Sequence, residues 1–529
     1  MKLPNKKYGI ALLVGAACVL GFAPFGFYPI SVVTLAVLFT LWRNTESPVS
    51  AAKIGFAFGL GVFCVGIGWL YIAMHDYGDM PSLLALLATF LFAAFWALLP
   101  ALAGYLQARF KVSNALRLLV VMPAVWVLVE WLRGLLFTGL PWLTLGYAHS
   151  DSPLAGYAPV LGVYGVSLVV AVSAGLLSLC TQTLFPRPSW EITSDLPARG
   201  RSRVASSFIR VRERGLAVFA AFLVLWIGGA LLRAVPWTQP QGEPFSVALV
   251  QGNIAQDLKF TENALVGTLE SYRRLVLQSD ARLIVLPETA LPLQRHELPE
   301  TLVTQLRVHA KQNGGDVLIG AFVRDDNNHF YNSVFTLGSA EEQLYRKQHL
   351  VPFGEFIPLR PVLGWLINEV LNIPMGDLTR GSAQQAPLNV AGQQVAVNIC
   401  YEDVFGEEII RALPQATLLV NVTNDAWYGH SYAAEQHNQI AQLRALETGR
   451  MMLRATNTGL TSIIGADGKV LQKIPQHQEG VLQGMAQGYA GITPYVRWGN
   501  AAVLLLIAMM LVGAWISSTG KLRILFTSR

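Results

Sequence analysis

Glu288, Lys347 and Cys400 each stand at or beside the end of an apolar run in the middle of the chain, and together they could carry acyl chemistry. The run Leu283 to Leu286 leads through Pro287 to Glu288. A carboxylate there is either a turn residue or helix cap, or a general base whose partial desolvation raises its basicity. Lys347 precedes the apolar run that begins at Leu350, with Glu355 beyond it. An isolated lysine is usually solvated; one entering an interior lowers a thiol pKa and stabilises an oxyanion. Val395 to Ile399 leads into Cys400, Tyr401, Glu402 and Asp403. A buried structural thiol is a common fate for cysteine. A strand end beside acidic residues suits a nucleophile better, because a strand-to-helix elbow exposes the side chain.

A cysteine–histidine pair is the alternative, with His349, His430 and His437 nearby in sequence. No Cys-x-x-Cys or His-Glu-x-x-His pattern signals a metal, and no Gly-x-Gly-x-x-Gly or Gly-Lys-Ser/Thr loop signals a nucleotide. No cofactor is expected. Of the four cysteines, Cys18, Cys64 and Cys180 lie in apolar runs, so Cys400 has no thiol partner in the polar region.

The elements that position these residues divide by composition. Charged residues make up 14% and hydrophobic residues 53% of the 529, where a soluble chain averages about 25% charged. Eight apolar segments are read as spans: Tyr8–Gly26, Tyr28–Trp42, Ile54–Met74, Ser82–Leu106, Leu118–Leu136, Val160–Phe185, Leu216–Val235 and Trp498–Trp515. Basic residues cluster in alternate connections, notably the seven arginines from Arg187 to Arg214. The positive-inside rule then places both termini in the cytoplasm and residues 236–497 on the opposite side. Residues 241–497 carry a net charge of −6 and the remainder +12; the acidic middle argues against nucleic acid as a partner.

Three regions follow: 1–235 with seven spans, 236–497 as an extracytoplasmic domain, and 498–529 with the eighth span and a cytoplasmic tail. Pro236 to Pro244 reads as a linker. Beyond it, β-rich runs are expected at Phe245–Val250, Arg282–Leu286, Val317–Val323, Val395–Ile399 and Ala416–Val422. Helices are expected at Thr261–Gln278 and Ala433–Arg454, and a hairpin at Asp467-Gly468. This is a mixed α/β domain large enough for its own core. Pro361 to Leu371 reads either as a membrane-dipping arm or as a core helix. Glu130 and Arg133, three apart near a span end, read as a structural pair, with a headgroup contact as the lesser alternative.

Glu, Lys and Cys in that order, each by a strand end, resemble the nitrilase (carbon–nitrogen hydrolase) superfamily. The surrounding motifs are similar to the apolipoprotein N-acyltransferase family. They are Gln251 to Ile254, Pro287-Glu288, Lys347 to Glu355, Cys400-Tyr401-Glu402, Asn424 to Gly429 and Arg444 to Arg450. In the apolar part, Gly21 to Gly26, Glu130 to Gly134 and Pro141-Trp142 agree. The resemblance covers essentially the whole chain. It implies a membrane domain of eight helices carrying an inserted αββα sandwich. It implies a Glu288–Lys347–Cys400 triad, supported by Glu355, Glu402 and the aromatic Tyr401. Where the family often has Trp near the site, this chain has Phe260; a packing role survives, an indole donor does not. Trp427 and Tyr428 are candidates for lining the acyl entrance.

The implied reaction is acyl transfer from a membrane phospholipid, expected to be phosphatidylethanolamine, through a cysteine thioester. The acceptor is the free α-amine of a diacylglyceryl-cysteine at the N-terminus of an apolipoprotein. The implied location is the bacterial inner membrane, with the catalytic domain periplasmic. A membrane-anchored amidase and a non-catalytic lipid-binding scaffold are the alternatives. An anchor needs one span rather than eight, and a dead domain would have lost a reactive residue.

Overall fold

The computed structural model describes residues 6–45, 47–184, 198–257, 259, 261–357 and 378–519, with side chains left out at 182–184, 198–214 and 262. Phe260 and the Pro361–Leu371 stretch lie outside the described residues.

Six described helices are long and apolar enough to cross a membrane: Pro48–Gly66, Ser82–Ala108, Asn114–Arg133, Pro153–Thr181, Gly215–Arg233 and Ala501–Ser518. Helices Lys6–Cys18 and Pro29–Arg43 are shorter, 13 and 15 residues. The first two expected segments therefore fall below the length of about 20 residues that a straight span needs. The apolar turn Leu70–His75 is separate from Pro48–Gly66 rather than continuous with it. Part of the arginine-rich connection is helical, since one helix runs Ala198–Arg233. Leu83, Leu86, Leu87, Phe90 and Leu91 project outward from Ser82–Ala108. Such a stripe suits lipid, because the backbone is satisfied within the helix. Small residues let these helices approach: a Cβ on Gly55 would strike the Pro100 carbonyl of the neighbouring helix.

The α/β part holds two six-stranded sheets. The first has the order β12-β1-β2-β3-β4-β5, with β1 Gln239–Gln251, β2 Leu283–Val285, β3 Asp316–Arg324, β4 Phe330–Gly338, β5 Leu344–Arg346 and β12 Gly480–Ala490. The second has the order β11-β10-β9-β8-β7-β6, with β6 Leu388–Val390, β7 Gln393–Ile399, β8 Leu418–Thr423, β9 Met452–Thr456, β10 Thr461–Ile464 and β11 Val470–Ile474. Each centre is parallel, β1-β2-β3 and β7-β8-β9, with antiparallel flanks. Parallel centres are buried on both faces, which accounts for the near-continuous apolar runs of β2, β7 and β8.

Two expectations are corrected. The stretch from Pro236 is not all linker: Gln239 to Gln241 already pair with β12. The expected helix to Arg454 stops at Thr448, because Gly449 adopts φ +62 and ends it. Met452–Thr456 then turns back as β9, beside β8. Asp467-Gly468 closes the β10–β11 hairpin, as read from sequence.

Candidate active site

The C-terminal ends of β2, β5, β7 and β8 converge on one buried cluster of side chains, the position where parallel α/β sheets expose their strand ends. Glu288 leaves β2 through Pro287. The turn fits because Gly320 of β3 has no Cβ to strike the Pro287 carbonyl. Asn332 Nδ2 of β4 donates to Glu288 Oε1 at 2.7 Å, and the Asn424 amide beyond β8 donates to Oε2 at 2.9 Å. Lys347 Nζ stands 3.2 Å from Glu288 Oε1 and 2.9 Å from Glu355 Oε1. Glu355 also accepts from Asn332 at 3.2 Å and from the Val351 amide at 2.8 Å.

Charge placement sets the protonation states. Burial works against ionising Glu288, but Lys347, Lys259 and the Asn332 hydrogen bond outweigh it and hold its carboxyl below the usual range. Burial likewise works against the Lys347 ammonium; Glu288 and Glu355 reverse that and hold it well above the usual lysine value.

Cys400 occupies the elbow after β7. It is buried, and its backbone adopts φ +54, a conformation rare for a residue with a Cβ. The turn Cys400–Val404 follows at once. Burial and the Glu288 charge push the thiol pKa up, and Lys347 and a contact with Thr423 counter this only in part. The sequence-based expectation that the cation lowers the thiol pKa is therefore half right: the pull exists, and desolvation wins. The resting group is a thiol.

Glu402 ties the pieces together. Its carboxylate accepts from the Ile399 amide at 2.6 Å, the Gln348 amide at 2.6 Å, the His349 amide at 3.1 Å and the Tyr345 hydroxyl at 2.9 Å. It thus fixes the segment before Cys400 to the segment around Lys347. Burial still pushes its carboxyl up to about 7 against these donors. Tyr401 points the other way, donating to the Gly139 carbonyl at 3.1 Å and stacking on Trp142 at 6.3 Å.

The histidine candidates are all engaged elsewhere. His437 sits between Asp403 at 2.8 Å and Asp425 at 2.9 Å. His349 stacks on Phe405 at 3.7 Å and reaches Glu408, and His430 packs at a tilt against His477 at 3.7 Å. Tyr428 lies edge-on to Trp69 at 4.5 Å and is half-buried. Trp427 is 43% exposed and meets Tyr77.

Sequence reasoning missed Asn332, Lys259 and the quartet that joins Asp403, Asp425 and Arg454 to His437, a residue read only as a possible partner of the thiol. Asn332 had a signal: an amide inside the otherwise apolar β4 needs a partner when buried. Arg454 had the same signal in β9, hidden by the helical reading of that stretch.

Comparison with known proteins gives the family. The Carbon-nitrogen hydrolase family profile matches residues 246–493, and the Apolipoprotein N-acyltransferase N-terminal domain profile matches residues 14–176. A carbon–nitrogen hydrolase crystal structure from Helicobacter pylori G27 is 15% identical, with a TM-score of 0.35, covering 49% of this chain and 95% of that one. The chain is 49% identical to the Apolipoprotein N-acyltransferase of Nitrosomonas europaea, over 95% of each protein. It is 43% identical to that of Methylococcus capsulatus, over 93% of this chain and 92% of the relative. On identity and coverage together, the chain belongs to the apolipoprotein N-acyltransferase family.

Proposed function

We propose that this chain transfers an acyl group from a membrane phospholipid to the α-amine of a lipoprotein's N-terminal cysteine, with Cys400 as nucleophile. Glu288 takes the Sγ proton as sulfur attacks the ester carbonyl. Lys347 holds the developing oxyanion. Collapse of the tetrahedral adduct breaks the ester C–O bond; the lysophospholipid alkoxide takes the proton from Glu288 and leaves. A thioacyl enzyme remains. The acceptor amine then attacks, Glu288 accepts its proton, and the thiolate departs and is reprotonated. An amide is more stable than a thioester, so the transfer runs forward.

The observation that carries this reading is the meeting of an ionised Glu288, a charged Lys347 and a strained Cys400 elbow in one buried site. Glu355 and Glu402 are the supporting acids and Tyr401 the supporting aromatic. Trp427 and Tyr428, with Phe260, are proposed to border the acyl entrance. Phosphatidylethanolamine is the proposed donor. Eight spans, the boundaries 1–235, 236–497 and 498–529, cytoplasmic termini and a periplasmic catalytic domain in the inner membrane complete the reading. The basic excess outside residues 241–497 supports that orientation.

Intact-mass analysis after incubation with phosphatidylethanolamine tests it. A hydroxylamine-sensitive acyl adduct is expected on the wild type and none on Cys400→Ala. Unchanged lipoprotein acylation by Cys400→Ala overturns the mechanism. Free fatty acid in place of acylated acceptor would indicate an amidase-like hydrolase instead.

A further inference from the structure

The buried cluster holds a second ammonium that the Glu288, Lys347 and Cys400 group does not use. Lys259 lies on the segment after β1 and is 1% exposed. Its Nζ donates to the backbone carbonyl of Glu288 at 3.2 Å and to Thr289 Oγ1 at 2.7 Å. Thr289 has φ +44, a left-handed conformation that a β-branched residue adopts only under constraint. The lysine therefore clamps the strained turn that aims the Glu288 carboxylate. Its segment is itself anchored to the site. The Ile254 amide donates to Asn457 at 3.0 Å, Asn457 donates to Asn424 at 3.0 Å, and Asn424 donates to Gln256 at 2.8 Å.

We propose that Lys259 is a positioning residue for acyl transfer, acting through Glu288: it fixes the turn that carries the base and supplies the second positive charge that keeps the base ionised. This rests on the reading of Glu288 as general base. The charges around the site support it. Lys347 and Lys259 face Glu288 and Glu355, two cations against two anions, with Cys400 adjacent and Asp425 and Tyr428 approaching Cys400 from the β8 side. Asn332 and the Asn424 amide complete the shell as neutral donors. Lys259 interacts with Glu288 and with Cys400 alike. When the proton moves from Sγ to the carboxylate, the negative charge moves with it in the opposite sense and stays within reach of the same ammonium. Removing the lysine would therefore raise the pH at which that single shared charge is lost, rather than block one direction of the transfer. Burial pulls Lys259 down to about 8 with the Glu288 charge opposing it, so it remains largely cationic at neutral pH.

The test is single-turnover thioester formation on the full chain with phosphatidylethanolamine in detergent micelles, followed by intact mass from pH 4 to 9. For Lys259→Gln, the acid limb is expected to move up by about one unit, so that the rate at its foot falls about tenfold. The plateau falls less, and KM for phospholipid stays unchanged. Lys259→Arg keeps the charge and is expected to restore the wild-type limb. A fall by the same factor at every pH in both variants, or wild-type rates in Lys259→Gln, overturns the proposal. If Lys259→Gln does not fold, Thr289→Ala decides: it removes an anchor and keeps the charge. It should lower kcat with KM and the limb unmoved, and a wild-type kcat there overturns the clamp. Glu288→Gln separates the two levels. If it forms thioester at the wild-type rate, the base assignment falls and this proposal with it. If it is inactive while Lys259→Gln is normal, only this proposal falls.

Discussion

Cys400 is protonated at rest and Glu288 is not, and that pairing decides how the site starts. A thiolate formed in advance would sit in a buried pocket beside a carboxylate, and desolvation opposes two neighbouring anions. In the proposed mechanism the proton moves as the substrate arrives, with Glu288 as its acceptor. Glu288→Gln is expected to slow thioester formation by about 10²–10⁴-fold, the usual worth of a general base, with phospholipid binding unaffected; single-turnover mass measurements check it. Because the Glu288 pKa is held below the usual carboxylate range, the base is present above that value and lost only as pH falls through it. Wild-type thioester formation should therefore stay flat from about pH 8 to about pH 5. A decline beginning near pH 6.5 would point to a histidine, as in the cysteine–histidine alternative. The three residues were legible as a group because each stands at or beside the end of an apolar run. The states of its members were not, because they depend on Lys259, Glu355 and Asn332, brought in from three other segments.

Between elements, two polar junctions hold the elbow. Glu402 joins the end of β7 to the segment after β5. Behind it, Arg454 of β9 bridges Asp403 at 3.1 Å and Asp425 at 3.0 Å, and His437 of the helix Ala433–Thr448 closes the ring from the other side. Arg454 also donates to Asn421 at 2.6 Å, and Asn421 donates to the Cys400 carbonyl at 3.1 Å. All four charged side chains are fully buried, so two cations and two anions balance away from water. Breaking such a set leaves an uncompensated charge. Arg454→Met is expected to cost about 3–5 kcal/mol, lowering the melting temperature by about 10 °C in a detergent melt. The pH dependence has a definite sign. Burial and Arg454 lower the His437 pKa, but Asp403 and Asp425 prevail and raise it. Its stabilisation is then complete below the unfolded value of about 6.5 and lost as pH rises through the higher folded value. Burial opposes ionising Asp425, yet His437 and Arg454 hold its pKa down to about 2. Its contribution persists until pH falls towards that value. The melting temperature should hold from about pH 4 to 7 and decline above, and His437→Gln should flatten the alkaline decline. Of the parallel-paired strands, β9 was read as the end of a helix, while β1, β2, β3, β7 and β8 were legible as apolar runs bounded by turns. The quartet was not, because its members come from four elements and only packing brings them together.

Across the whole molecule, the membrane helices do more than anchor the hydrolase fold. The connection after the helix Asn114–Arg133 rises into the elbow. Gly139 accepts from Tyr401, and Tyr147 donates to the Val404 carbonyl at 3.1 Å. Trp142 donates to Gln436 at 2.7 Å while stacking on Tyr401 and approaching His437 at 5.1 Å. On the same side the Val163 amide donates to Glu447 at 2.6 Å. These contacts join residues more than 250 positions apart, so no local pattern announces them. Only the count of apolar segments hinted that the membrane part had a purpose beyond attachment. The turn that carries Cys400 is thus fixed from β7 on one side and from the connection between two membrane helices on the other. Tyr401→Phe keeps the Trp142 stack and deletes one hydrogen bond, a loss of about 1 kcal/mol; the rate of thioester formation should fall about fivefold. Tyr401→Ala removes the stack as well and should fall further, since an aromatic pair is worth about 0.5–1.5 kcal/mol beyond its buried area. If the sandwich alone positioned Cys400, both variants would form the thioester at the wild-type rate. A graded loss, Phe then Ala, would mean that Cys400 is aimed in part by the connection between the membrane helices, so the proposed acyl donor and the attacking sulfur share one frame.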